Sequence, residues 1–188
     1  MNRKPAVLIA VSMLPICWLG MMLVHELGHV VGAWMTGGVV EQVVWHPLVI
    51  SRTDVSPNPS PLIVVWAGPI VGSLLPVIVW ACLFRWRSAF LIKFFAGYCL
   101  IANGAYIGYG SFEKIGDCRE MLIHETPIWA LWLFGLTACS LGFYFWDGLG
   151  PKFGWGKNAD EVSWKLAVSV TAFAVLLVTC GFLFGNRG

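Results

Sequence analysis

The sequence predicts an all-α polytopic membrane protein, with about five transmembrane helices and a small β-hairpin or β-loop between the first two. Of its 188 residues, 58% are apolar and 12% are charged, and the mean hydropathy is +0.75. Average soluble domains have about 45–50% apolar and about 25% charged residues. A net charge of +2, without a block of Lys and Arg residues, argues against a nucleic-acid partner.

Five runs almost free of charged side chains predict the membrane spans. A membrane helix needs about 20 mostly apolar residues, because each adds about 1.5 Å towards a hydrocarbon layer of about 30 Å. The runs cover residues 5–24 with an apolar continuation to 34, then 62–84, 88–110, 126–146 and 166–186. The first run is too long for the core of a signal peptide and no small-x-small cleavage site follows it, so we expect an uncleaved helix.

The distribution of basic residues favours a cytoplasmic N-terminus in the cell membrane, through the positive-inside rule. One side of the bilayer would carry seven basic residues and the other side four. The first group is Arg3, Lys4, Arg85, Arg87, Lys152, Lys157 and Lys165, and the second is Arg52, Lys114, Arg119 and Arg187. Because this difference is small, the sequence leaves the orientation open.

The segment 39–51 predicts a small β-hairpin or β-loop at the membrane surface. It is rich in β-branched residues, contains Pro47 where a turn would fit, and is too short to span a bilayer. We expect His46, beside this proline, to lie at the surface. The six cysteines show no disulfide spacing, and five of them fall in predicted spans, where we expect small buried apolar residues.

An H-E-x-x-H pattern lies inside the first predicted span, at residues 25–29. His25 and His29 share one helical face, so both imidazoles can reach one metal ion, and Glu26 lies one step round the helix. Zinc lowers the pKa of a bound water, and a neighbouring carboxylate can then accept its proton. Ionisable groups in a span are costly unless paired or liganded. The alternative is a purely structural network, in which the three side chains hydrogen-bond to polar groups on neighbouring helices.

A catalytic zinc needs a third protein ligand, which the downstream sequence must supply. The candidates are His46, Glu113, Asp117, Glu120, His124 and Glu125. The first and third helices run in the same direction, so the segment 111–121 should emerge on the membrane side of His25. Asp117 is preferred because it follows a glycine, which would let the backbone approach a metal closely. Glu113, His124 and, less strongly, Cys118 remain as substitutes.

Four stretches within residues 20–121 together carry a family resemblance. They are the H-E-x-x-H motif with Val-Val-Gly-Ala-Trp after it and Gly-Gly at 37–38, the segment Trp-Ala-Gly-Pro-Ile-Val-Gly at 66–72, Asn103, and Gly-Asp at 116–117. This set resembles the site-2 protease family of intramembrane zinc metalloproteases, most closely its short members without a PDZ domain. The motif within a span is specific, whereas the Gly-Pro and Asn matches are weak when taken alone.

The resemblance implies a zinc metalloendopeptidase that hydrolyses peptide bonds of membrane protein substrates. It implies zinc on His25, His29 and Asp117, with Glu26 as the general base that activates a zinc-bound water. It also implies that the β-element at 39–51 pairs with an unwound substrate, which would replace the hydrogen bonds lost when a helix is opened. The sequence departs from the family at Asp117, which precedes Cys118 instead of glycine, and in the charge count, which puts the metal site away from the cytosol.

Other small and polar residues near the motif have two interpretations each. Gly28 and Gly32 form a small-x-x-x-small pair that would let another helix approach closely, or they reflect generic packing. Gly68 and Pro69 should break or kink the second helix near its start, or simply mark where it begins. Asn103 either donates to a developing oxyanion or bridges two helices, and the bridge is slightly favoured.

We expect residues 1–188 to form a single membrane-embedded domain. Residues 1–121, with three helices, would be the catalytic core, and residues 122–188 would add two supporting helices. The partners would be a membrane protein or peptide substrate and the lipid bilayer. One alternative enzyme is a prenyl-protein-processing metalloprotease, which needs a downstream Glu as third ligand. The alternative outside enzymes is a non-catalytic zinc-binding membrane protein that binds transmembrane partners.

Overall fold

The computed structural model describes residues 3–156 and 158–185 of the chain. In chain order the elements are α1 Lys4–Thr36, β1 Val40–Val44, β2 Arg52–Val55, α2 Pro61–Leu83, α3 Ala89–Glu113, α4 Gly116–Ile123, α5 Ile128–Trp146 and α6 Trp164–Phe184, with a short 3₁₀ turn at Gly150–Phe153.

Among the described residues, five helices are long and apolar enough to cross a membrane, namely α1, α2, α3, α5 and α6. The chain is therefore a multi-pass membrane protein, and the predicted fold class is confirmed. The predicted spans agree with the helix ends to within a few residues, and the small differences include α1, which continues to Thr36, and α3, which continues to Glu113. Helix α1 has 33 residues, which at about 1.5 Å each gives about 50 Å, well beyond a hydrocarbon layer of about 30 Å.

The long helices pack in the order α6, α1, α2, α3, α5. The α1–α2 contact is close because Gly28 and Gly32 face α2. A Cβ on Gly28 would overlap the carbonyl oxygen of Ala67, and one on Gly32 would lie 2.7 Å from the Ala67 Cβ. The prediction that this glycine pair admits another helix is confirmed.

The hairpin is antiparallel, with Val40 opposite Val55 and Val44 opposite Arg52, and a bulge near Gln42. The predicted range 39–51 holds only the first strand and the loop, so its end is wrong. The second strand was missed because Arg-Thr-Asp-Val at 52–55 lacks an apolar alternation.

The hairpin loop packs against the end of α6. His46 is 1% exposed, and its ring lies edge-on to Phe182 with centroids 5.0 Å apart. A Cβ on Gly181 would lie 2.8 Å from Pro47, so this glycine leaves room for the proline. The expectation that His46 lies at the surface is therefore wrong, because α6 covers the loop.

Helix α4 is a short element that sequence periodicity did not indicate. Its Cys118 and Met121, three residues apart, are fully buried and join Val65, Ile107 and Leu131 in one apolar cluster. This cluster fixes α4 against α2, α3 and α5. Helix α2 runs from Pro61 through the Gly-Pro pair at 68–69, so this pair neither breaks the helix nor marks its start.

Candidate metal centre

The motif on α1 and the first turn of α4 bring together three side chains that could bind a metal ion. His25 and His29 are 7% and 6% exposed and lie one helical turn apart. Their Nε2 atoms are 3.1 Å apart, and Asp117 Oδ2 is 2.9 Å from the His25 Nε2 and 3.4 Å from the His29 Nε2. The segment after α3 thus emerges on the membrane side of His25, as the direction of the helices predicted. Within the described residues, these three form the group that could hold a metal ion.

Acceptors on neighbouring helices set the proton position on each imidazole. His25 Nδ1 lies 2.6 Å from Asn103 Oδ1, and His29 Nδ1 lies 2.9 Å from the carbonyl oxygen of Val64. A carbonyl oxygen only accepts, so each Nδ1 carries a hydrogen. The Asn103 Nδ2 donates to the Cys99 carbonyl at 2.8 Å, which fixes the orientation of the amide. Metal-binding histidines commonly donate their second N–H in this way, which orients the ring and its free nitrogen.

The donor set suits a tetrahedral cation such as zinc. With both Nδ1 atoms protonated, the two Nε2 lone pairs and the Asp117 carboxylate face one another, and such acceptors repel unless protons or a metal ion lie between them. Zinc bonds of about 2.0–2.1 Å at tetrahedral angles place neighbouring ligand atoms about 3.3 Å apart. The three separations of 2.9, 3.1 and 3.4 Å are close to that value.

Asp117 is held as a carboxylate despite its burial. Burial by itself raises the pKa of Asp117, but hydrogen bonds and charge interactions with His25 and His29, made when their Nε2 atoms carry protons, outweigh burial and hold this pKa below the usual range of an aspartate. The ionised form is the one that can bind a cation. Asp117 also donates its backbone N–H to the Tyr106 hydroxyl at 3.0 Å, which ties the first turn of α4 to α3.

Two glycines next to this centre make room for other side chains. Gly116 has φ +51°, and a Cβ there would overlap the Tyr106 hydroxyl, so the glycine before Asp117 serves the backbone conformation and the Tyr106 contact. A Cβ on Gly68 would overlap the His29 imidazole. Gly68 of α2 thus leaves space for the His29 side chain, a role the sequence did not indicate.

Glu26 lies in the same cavity as the three metal-binding candidates. It is 3% exposed, and its Oε2 accepts a hydrogen bond of 2.7 Å from the Thr53 hydroxyl on β2. The cavity has a volume of about 960 Å³ and is lined by the hairpin and by helices α1, α2, α3 and α4. A buried carboxylate beside two imidazoles can accept and return a proton.

The substitutes for the third ligand lie outside the cluster. Glu113 is exposed at the end of α3, and His124 follows the end of α4. The buried Cys118 directs its thiol to the carbonyl oxygens of Ile107 at 3.4 Å and Tyr106 at 3.5 Å. Burial, with a smaller contribution from Asp117, raises the pKa of this thiol to about 12, which disfavours the thiolate that a metal needs.

Asn103 bridges two helices, which agrees with the favoured interpretation, but its partner is the His25 ring. Sequence reasoning missed Val64, Tyr106 and Thr53. Asn103 and Tyr106 share one face of α3 at a spacing of three, a signal that could have found the tyrosine. Nothing in the sequence points to a backbone carbonyl such as that of Val64.

Comparison of the chain with protein-family models, curated proteins and solved structures gives no match in any of the three. The site-2 protease resemblance therefore rests on the motifs alone, and the argument for function rests on the chemistry of this centre.

Proposed function

We propose that the chain is an intramembrane zinc metalloprotease of the cell membrane, which hydrolyses peptide bonds of membrane protein substrates. The observation that carries this proposal is the convergence of the two Nε2 atoms and the Asp117 carboxylate, with both Nδ1 atoms engaged by acceptors. Zinc bound by His25, His29 and Asp117 would act as a Lewis acid on water and on the scissile carbonyl.

In this proposal Glu26 is the general base. Its Oε2 is engaged by Thr53, so Oε1 is the oxygen that accepts the proton of the attacking water and later passes it to the leaving amine. The carboxylate is buried beside the imidazoles, where low solvent access strengthens its electrostatic effect. A purely structural zinc site would not need this carboxylate.

The hairpin supplies a surface for the substrate. A transmembrane substrate must be unwound before hydrolysis, and an extended segment can regain backbone hydrogen bonds by adding to a strand edge. Residues of both β1 and β2 line the cavity that contains Glu26, including Glu41, Arg52 and Thr53. The hairpin therefore can hold a substrate strand beside the base.

The experiment that tests this proposal combines metal content with cleavage. Wild type, His25→Ala, Glu26→Gln and Asp117→Ala are purified in detergent, and zinc per chain is measured beside cleavage of a panel of dye-labelled single-span membrane peptides. We expect about one zinc in wild type and Glu26→Gln, weakened zinc binding in the two ligand variants, and cleavage by wild type far faster than the residual turnover of any variant.

Each contrary outcome identifies a different error. Wild type without zinc, after zinc has been added back, refutes the metal centre. Zinc retained in Asp117→Ala refutes the third ligand. Equal cleavage by wild type and Glu26→Gln refutes Glu26 as base. Zinc in both proteins without any cleavage favours the non-catalytic zinc-binding alternative. The prenyl-processing alternative needs a Glu as third ligand, but Glu113 is exposed and outside the cluster, and Glu120 lines the cavity without joining the cluster.

A further inference from the structure

The Glu26 carboxylate receives its hydrogen bond from the hairpin and not from the helix bundle. Thr53 Oγ1 donates to Glu26 Oε2 at 2.7 Å, across 27 positions of sequence. Among the described residues, this hydroxyl is the donor that holds the buried carboxylate. A side chain with three rotatable bonds has several orientations, and one strong donor selects among them.

The strand fixes where the Thr53 hydroxyl points. Arg52 Nε and Asp54 Oδ2 are 3.3 Å apart, which places their side chains on one face of β2. Side chains alternate along a strand, so Thr53 faces the other way, towards α1. Its backbone is paired with Val43 in the hairpin register, and this pairing holds the hydroxyl in place.

We propose that Thr53 is a positioning residue for Glu26, which rests on the proposed protease function. The hydroxyl holds Oε2 and thereby leaves Oε1 in the orientation that proton transfer needs. Because Thr53 belongs to the hairpin that would bind the substrate strand, the orientation of the base depends on the hairpin being in place. A displaced hairpin leaves the carboxylate without its donor and the base misoriented.

The test uses Thr53→Val, which removes the hydroxyl and keeps the size and β-branching, and Thr53→Ser, which keeps the hydroxyl. The matched control is Thr36→Val, because the Thr36 hydroxyl donates to the carbonyls of Gly32 and Ala33 in its own helix, at the end of α1. For wild type and each variant, we measure kcat and KM on the peptide that wild type cleaves, zinc per chain and the thermal unfolding midpoint.

We expect Thr53→Val to lower kcat about 10–100-fold with an unchanged KM, since a misplaced catalytic group costs about that much. Thr53→Ser should recover most of the loss, Thr36→Val should match wild type, and all should keep zinc. In a Glu26→Gln background, Thr53→Val should have no further effect on residual turnover, because Thr53 acts through Glu26.

A kcat equal to that of wild type in Thr53→Val overturns the proposal. So does an equal loss of kcat in Thr53→Val and Thr53→Ser, or a loss of zinc in Thr53→Val. If Thr53→Val does not fold, Thr53→Ala tests the same missing hydroxyl under the same criteria. Failure of the protease function itself is recognised by comparing wild type with Glu26→Gln, because these two proteins would then cleave the peptide at the same rate or not at all.

Discussion

Replacing Gly68 by alanine should weaken the proposed binding of zinc without unfolding the protein. A Cβ at this position would overlap the His29 imidazole, including Nε2. The new methyl group would meet the end of the His29 side chain and not a backbone atom, so the imidazole ring can move while the helices stay packed. Alanine also favours a helix over glycine by about 1 kcal/mol, so the change does not weaken α2 itself.

The expected size of the effect follows from what His29 loses when it moves. The ring must leave the position in which Nδ1 donates to the Val64 carbonyl at 2.9 Å and Nε2 faces Asp117 at 3.4 Å. Loss of such an orienting hydrogen bond typically lowers metal affinity about 10–100-fold. This corresponds to about 1.4–2.8 kcal/mol of binding free energy.

The assay is a competition titration of zinc between a chromophoric chelator and the detergent-purified protein, with thermal unfolding measured in parallel. Gly20→Ala is the matched control. Its Cβ would lie 2.9 Å from the Phe95 ring on α3, so it perturbs membrane packing without touching the histidines. A folded Gly68→Ala protein with the zinc affinity of wild type would contradict this prediction, and an equal loss of zinc affinity in Gly20→Ala would show that general packing is responsible.

Three further changes separate the centre from the bundle around it. Asn103→Leu removes the acceptor of the His25 Nδ1–H, so the same titration should show a zinc affinity reduced about 10–100-fold. Asn103→Asp keeps an acceptor and should be closer to wild type, and an unchanged affinity in Asn103→Leu would contradict the prediction. Cys118→Ala should keep one zinc per chain by elemental analysis, because the thiol contacts backbone carbonyls, and loss of zinc would instead make Cys118 a ligand. Gly135→Ala places a Cβ 2.7 Å from the Gly108 Cα, so the free energy of unfolding, measured by thermal unfolding, should fall by about 1–3 kcal/mol while the zinc affinity is unchanged. A stability equal to that of wild type would mean that α5 can move away from α3.

The spans could be predicted from sequence because the signal is local. A bilayer demands about 20 apolar residues in succession, and five stretches provide them without reference to any other part of the chain. The elements that were missed, β2 and α4, are short and partly polar. Strand β2 carries Arg52 and Asp54, and α4 gains its stability from burial of Cys118 and Met121 in a cluster that only the packed bundle creates.

The residues of the site also differ in this way: some could be predicted from local spacing, and others come together only when the chain folds. His25, Glu26 and His29 share one helix, so their spacing alone predicted a common centre. Asp117 required one more step, the direction of the helices in the membrane. The donors and acceptors that orient these groups carry no such signal, because the Val64 carbonyl and the Thr53 hydroxyl are ordinary groups until the chain folds.

Four helices meet at this centre, so its geometry depends on how the helices pack against one another. Helix α1 supplies both histidines, α2 fixes the proton on His29 through Val64, α3 does so for His25 through Asn103, and α4 brings the carboxylate. A cation that binds this arrangement and not the unfolded chain stabilises the fold by mass action. The packing of the helices and the affinity of the centre are therefore thermodynamically linked, so a substitution that shifts α2 or α4 against α1 changes both.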